Sequence, residues 1–278
     1  MKSSWINDLY KKNITFQGQR KIVGGYFYGI TDGGVLLKIA TQTFRDGSFD
    51  FIYGETPLIV PLQPGEKKQE IHIGNRNYAG MEYCRRSGYS IHEPPGDRYV
   101  RLQCRGNVLS AVEACCADIL RMVDSDFSKC NSVQGFAALC MERFAELTEE
   151  NRREIAANYP EDCPAEGDIF GAFGCYIYVN ALLGNYAKAL ARIRGENTRM
   201  RLLARNSLKR GDWSQERYEA AVVSITARYR EITTALLAED TAACEAILEQ
   251  NYQENRQILS KQLGFSLPES YKDLCRAE

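Results

Sequence analysis

The sequence predicts an α+β protein. A small mixed or β-rich N-terminal domain, residues 1–105, is followed by an all-α antiparallel helical bundle, residues 106–278. Three observations lead to this prediction. Apolar residues recur at helical spacing through most of the chain after residue 107. Alternating aromatic residues and several prolines mark an extended segment at residues 48–64. The length of 278 residues is sufficient for two domains, each with its own core.

The composition is that of an ordinary globular chain. Hydrophobic residues make up 44% and charged residues 26% of the sequence. The net charge of −1 gives no global attraction to nucleic acid or to anionic membrane, although a local basic face is compatible with it. No apolar run approaches the roughly 20 residues that span a bilayer, and no apolar signal region follows the start. We therefore expect a cytoplasmic protein that makes no membrane contact.

The N-terminal domain carries strand and turn signals. Its predicted strands are residues 14–16, 26–28 and 48–64. Asp32, Gly33 and Gly34 predict a turn. The apolar spacing of residues 35–46 predicts a helix that Gly47 ends.

Residues 78–102 have the order of a winged helix. A helix from Tyr78 that ends at Gly88 is followed by a strand at residues 89–92, a Pro-Pro-Gly turn and a returning strand at residues 98–102. An ordinary hairpin beside a solvated helix is the alternative. In a winged helix, four arginines would form a basic DNA-contacting face: Arg76, Arg85, Arg86 and Arg98.

Six segments of the C-terminal half read as helices with short connections. The last of them, residues 213–263, is the best organised and divides in two. Its first part has one apolar stripe at steps of three and four: Tyr218, Val222, Ile225, Tyr229, Ile232 and Leu236. Asp212 with Gln215 predicts a capping box, Asp240 a second cap, and Gly264 the helix end. The segments before it are residues 108–122, 133–147, 148–160, 168–183 and 186–208.

The sequence gives little support for a catalytic site or a metal-binding site. The ten cysteines include no Cys-x-x-Cys pair, and the two histidines, His72 and His92, lie away from them in sequence. We interpret the cysteines as small buried hydrophobic residues. No carboxylate pair stands in an apolar setting with a partner base. We expect no enzyme, no metal and no cofactor.

The C-terminal half resembles the FCD effector-binding domain of GntR-family transcriptional regulators. The resemblance covers residues 110–263 and is carried by residues 232–240, by Ala243 and Leu248, and by the Gly184-Asn185 helix break. Upstream, residues 37–47 resemble the first helix of that family's winged helix-turn-helix, and residues 78–102 resemble its recognition helix and wing. Residues 56–64 depart from the family, which has a positioning helix at that place.

The family's metal ligands correspond here to Ala172, Tyr176, Tyr229 and Asn251, none of which is a usual ligand of a first-row metal. The resemblance therefore implies a metal-free pocket in which polar side chains bind an organic effector directly. A core in which these side chains satisfy each other is the alternative. Arg228 and Arg230 flank Tyr229, and either could pair with a carboxylate ligand, with solvated arginines as the alternative. The candidate ligand-binding residues are Tyr176, Tyr229, Asn251, Asn255 and Arg228.

Two functions remain open at this point, and an enzyme with residues 176–178 as its pocket wall is a third, weaker alternative. The first is a ligand-responsive, homodimeric transcriptional regulator that senses a small organic acid and binds DNA. The second is a sensing or protein-interaction module that makes no DNA contact. Whether residues 39–99 fold as three helices plus a wing distinguishes them, because a helix-turn-helix docks on DNA through its helices.

Overall fold

The computed structural model describes residues 3–43, 49–65, 70–73, 77–78 and 109–275. In these residues one helix precedes the strands, the strands lie between residues 19 and 78, and the elements from residue 109 onward are helices. The predicted α+β class is confirmed. No helix within the described ranges is long and apolar enough to cross a membrane.

The elements follow one another in a simple order. The strands are β1 (Gln19–Val23), β2 (Tyr26–Ile30), β3 (Val35–Thr43), β4 (Phe49–Pro57), β5 (Gln63–Pro64), β6 (Ile71–His72) and β7 (Asn77–Tyr78). The helices are α1 (Ser3–Asn13), α2 (Leu109–Lys129), α3 (Val133–Ala145), α4 (Glu149–Ala156), a 3-10 turn (Ala165–Asp168), α5 (Cys175–Leu182), α6 (Tyr186–Lys209), α7 (Gln215–Ala227), α8 (Arg230–Leu237), α9 (Thr241–Leu263) and α10 (Tyr271–Cys275).

The sheet is an antiparallel array in the order β1-β2-β3-β4-β7, with β5 and β6 forming a separate pair. Its central strand β3 replaces the predicted helix at residues 35–46, so that prediction was wrong. The start of β3, Val35 to Leu37, is completely buried and pairs with β4. A strand buried on both faces shows no alternation, and periodicity alone cannot separate it from a buried helix.

Other predictions for this part had mixed outcomes. The strand at residues 26–28 and the turn that precedes Val35 are confirmed, and Gly34 has φ +75°, a value that favours glycine. Residues 14–16 are not a strand, because the backbone N–H groups of Thr15 and Phe16 donate to the Asp124 carboxylate instead. The helix α1 was not predicted, although Ile6, Leu9 and Tyr10 stand at helical spacing and are buried.

A buried ion cluster attaches the sheet to α2 and α3. The Arg143 guanidinium donates to both carboxylate oxygens of Glu55 on β4, each at 2.9 Å, and to Asp126 of α2, also at 2.9 Å. The Tyr53 hydroxyl donates to the same Asp126 carboxylate at 3.0 Å. These tertiary partners explain why α2 continues to Lys129, beyond the predicted helix at residues 108–122.

Two asparagines of α9, one turn apart, bind the segment that follows β4. The Asn255 side chain donates to the carbonyls of Leu58 and Val60 at 2.6 and 2.7 Å and accepts from the Leu62 N–H at 2.8 Å. The Asn251 amide donates to the Ile59 carbonyl at 3.0 Å. We call Asn251 and Asn255 the amide pair. It supplies hydrogen-bond partners to a buried stretch that has no ladder of its own.

Three details of the C-terminal helices differ from the sequence prediction. Ser214, not Asp212, caps α7 by accepting from the Arg217 N–H. The predicted helix at residues 168–183 begins at Cys175, because Phe173 and Gly174 both have positive φ. The apolar stripe from Tyr218 to Leu236 is divided between α7 and α8. The cap at Asp240 and the end at Gly264 are confirmed.

The two predicted domains share a core. One cluster of buried side chains contains residues of α1, of the sheet and of α2, α3, α5, α8 and α9. The predicted boundary between residues 105 and 106 lies outside the described residues, and the division into two domains stays a prediction.

Replacing Asn255 with Ala should lower the free energy of unfolding by about 2–4 kcal/mol, because three buried backbone groups lose their partner. Chemical denaturation monitored by circular dichroism measures this change. The exposed Gln257 of the same helix provides the control, and Gln257→Ala should change stability by less than about 0.5 kcal/mol. Equal effects of the two substitutions would show that the amide pair does not stabilise the fold.

Candidate functional site

A pocket of about 380 Å³ lies where α7 ends and α8 begins. This volume is in the range of small-molecule sites. We call it the junction pocket. The helix break at Arg228 and Tyr229 forms one wall, α5 contributes Tyr178, and α9 contributes Asn251. The polar groups that line it are Tyr178, Arg228, Tyr229, Arg230, Glu231, Gln250 and Asn251.

The break between α7 and α8 is fixed by the side chain of Tyr229. This residue has φ −118° and ψ 21°, outside the helical range, and its hydroxyl donates to Glu196 Oε2 of α6 at 2.8 Å. A Cβ at position 174 would stand 2.9 Å from the Tyr229 ring, so glycine there permits the close approach. The burial of the Tyr229 ring and this hydrogen bond therefore stabilise the break more than the backbone hydrogen bonds of a continued α7 would.

The other carboxylate oxygen of Glu196 accepts a hydrogen bond from Arg192. Arg192, which is 3% exposed, donates from Nε to Glu196 Oε1 at 3.1 Å. The Arg192 guanidinium also binds the Asp168 carboxylate and the Tyr159 hydroxyl. The Arg192 guanidinium carbon also lies 4.4 Å from the centroid of the Tyr159 ring, in a cation–π contact. This chain of polar contacts connects the wall of the junction pocket to the 3-10 turn before α5.

The two tyrosine hydroxyls at the junction pocket stay protonated at neutral pH. Burial raises the pKa of Tyr229, and the Glu196 carboxylate raises it further, whereas Arg228 opposes the rise. Burial likewise raises the pKa of Tyr178, and Arg228 and a hydrogen bond with Asn251 oppose it. Arg228 therefore lies close enough to both phenols to act on them.

Two cations at the junction pocket have no acidic partner in the described part of the chain. Arg228 and Arg230 are exposed and form no ion pair there within 4.0 Å. The Arg228 guanidinium carbon lies 5.0 Å from the centroid of the Tyr229 ring. The N-cap residue of α8, Tyr229, provides no side-chain acceptor for the first turn of that helix. The positive end of the α8 dipole and two guanidinium groups thus border the same pocket.

The structure brings together three of the five predicted ligand-binding residues. Arg228, Tyr229 and Asn251 all line the junction pocket. The side chain of Asn255 is buried one turn away and is occupied by residues 58–62. The Tyr176 hydroxyl donates to Glu166 at 2.8 Å, and its ring packs edge-to-face on Phe170, so this residue lies in the core outside that pocket.

Sequence reasoning missed Glu231 and Gln250 of the same pocket. Both residues line the pocket because the helix break turns the start of α8 toward α9. No pattern in the sequence indicated that break. The four arginines predicted to contact DNA, Arg76, Arg85, Arg86 and Arg98, lie outside the described residues.

A larger pocket of about 510 Å³ lies between residues 15–18, the β2–β3 turn and the start of α3. The described residues that line it include no arginine or lysine. Its carboxylate Asp124 is occupied by Thr15 and Phe16. This pocket lacks a cation for an organic acid, so the junction pocket is the better candidate site.

Metal ligands are not assembled anywhere in the described residues, where no group of three or more histidine, cysteine, aspartate or glutamate side chains is placed to hold an ion. Comparisons of this chain with protein-family models, with curated proteins and with solved structures find no match. The chemistry of the junction pocket is therefore the basis for the function proposed below.

Replacing Tyr229 with Phe should lower the free energy of unfolding by about 1.5–3 kcal/mol, because the charged Glu196 carboxylate loses a buried donor. Thermal and denaturant unfolding measure the change. The matched control is Tyr218→Phe on α7, where the hydroxyl forms no hydrogen bond with any described residue and the effect should be near zero. A neutral Tyr229→Phe would contradict the role assigned to this bond.

Proposed function

We propose that this protein is a sensing module that binds a small organic acid in the junction pocket. The observation that carries the proposal is the pair Arg228 and Arg230, which border a ligand-sized pocket and have no described acidic partner. A carboxylate can accept two parallel hydrogen bonds from a guanidinium, which gives both affinity and orientation. Asn251 and Tyr178 offer further polar contacts at the wall of the same pocket.

The electrostatic setting favours an anion over a neutral ligand. The start of α8 has unsatisfied backbone N–H groups by the geometry of any α-helix, and its N-cap side chain does not accept from them. A carboxylate there interacts favourably with the helix dipole, by roughly 0.3–1 kcal/mol at an exposed position. Because the pocket is open to solvent, most of the affinity must come from direct hydrogen bonds.

The proposal does not include DNA binding. The winged-helix resemblance required a helix at residues 37–47, and residues 35–43 form β3 in the centre of a sheet. Without that helix the helix-turn-helix arrangement has no first element to lie across the DNA backbone. This observation favours the module without DNA contact over the transcriptional regulator. The homodimer, the cytoplasmic location and the absence of enzymatic activity stay predictions.

We expect at least one acid from a panel of acetate, lactate, succinate, glutarate and citrate to bind the full chain in calorimetry. Arg228→Gln should weaken that binding roughly tenfold, because a charge-assisted hydrogen bond is lost. Arg217→Gln is the control, since Arg217 packs over Trp213 at the start of α7 and does not line the pocket. An unchanged dissociation constant in Arg228→Gln would contradict the proposed site.

A second test addresses the alternative function. In a gel-shift assay with DNA from upstream of its own coding sequence, we expect no specific complex between 50 and about 200 mM salt. A specific shift whose affinity falls steeply with salt would support the transcriptional regulator instead.

A further inference from the structure

The junction pocket contains an acidic group as well as its two arginines. Glu231 lines the pocket, is exposed, and forms no ion pair with any described residue. It stands three positions after Arg228, a spacing at which opposite charges on one helix commonly pair. The helix break at Tyr229 intervenes, and no ion pair within 4.0 Å joins the two side chains in the part of the chain that the structure describes.

Positive and negative groups therefore face the same space. Arg228 lowers the pKa of the Tyr178 hydroxyl and Glu231 raises it, so both charges act on one phenol at the pocket wall. The other nearby carboxylate, Glu196, is already occupied by Arg192 and by the Tyr229 hydroxyl. Glu231 is therefore the carboxylate of the pocket that remains available to a cationic group.

A plain carboxylate would be only partly suited to this arrangement. Its charge would be attracted by Arg228 and Arg230 but repelled by Glu231, at separations where exposed charges still interact. A ligand that carries an ammonium group next to its carboxylate removes the repulsion and gives Glu231 a partner. The carbonyl oxygens of the Gln250 and Asn251 side chains and the Tyr178 hydroxyl can accept further bonds from an ammonium group.

We propose that the ligand of the junction pocket is a zwitterionic α-amino acid, whose carboxylate binds Arg228 at the end of α7 and whose ammonium group binds Glu231 in the first turn of α8. This inference rests on the proposed function, because it specifies the class of acid that the pocket binds. It also assigns Glu231 as the residue that distinguishes an amino acid from the corresponding acid without the amino group.

Calorimetry on the full chain at pH 7 tests the inference with matched ligand pairs: alanine and propionate, aspartate and succinate, glutamate and glutarate, and phenylalanine and 3-phenylpropionate. We expect the amino acid of at least one pair to bind roughly tenfold more tightly than its partner, the gain of one charge-assisted hydrogen bond. Glu231→Gln should reduce this preference to about threefold or less and leave the binding of the partner acid equal or stronger.

The exposed Glu216 at the start of α7 provides the control, and Glu216→Gln should keep the preference unchanged. Since Glu231 is exposed, its substitution should leave the unfolding temperature close to that of the wild type. Equal binding of both members of every pair, or a preference that persists in Glu231→Gln, would overturn the inference and leave the proposed function standing. Failure of every acid and amino acid to bind would overturn both.

Discussion

The hydrogen bond from the Tyr229 hydroxyl to the Glu196 carboxylate determines where the candidate site can form. It holds the chain in a non-helical conformation between α7 and α8. If α7 and α8 formed one continuous helix, Arg228 and Glu231 would stand one turn apart and could pair with each other. The break separates them, exposes the start of α8 and creates the junction pocket. The Arg192 guanidinium binds both Glu196 and Asp168 and so fixes the position of the carboxylate that accepts from Tyr229.

The junction pocket is also connected to the sheet. Asn251 lines the pocket and donates to the Ile59 carbonyl, while Asn255 binds the carbonyls on either side of Ile59. The same helix, α9, therefore lines the ligand space and also binds the segment after β4 through both asparagines. A ligand that competes for the Asn251 amide would act directly on this segment, which gives a sensing module a physical connection between its helices and its sheet.

The sequence predicted α9 well because a side-chain cap begins this helix and a glycine ends it. Asp240 and Gly264 bound α9 as expected. The sheet was harder, since β3 is apolar on both faces and its residues fit a helical pattern equally well. The break at Tyr229 could not be predicted, because its cause is a tertiary hydrogen bond to Glu196, 33 residues earlier. For the same reason Glu231 was not recognised as part of the site.

The most direct test of the central claim is a crystal structure of the protein grown with a saturating concentration of the acid or amino acid that binds it best. The account predicts ligand density in the junction pocket, with a carboxylate about 2.7–2.9 Å from the Arg228 guanidinium and with the α7–α8 break unchanged. Ligand density in the larger pocket beside Asp124, or α7 and α8 joined into one helix, would contradict it.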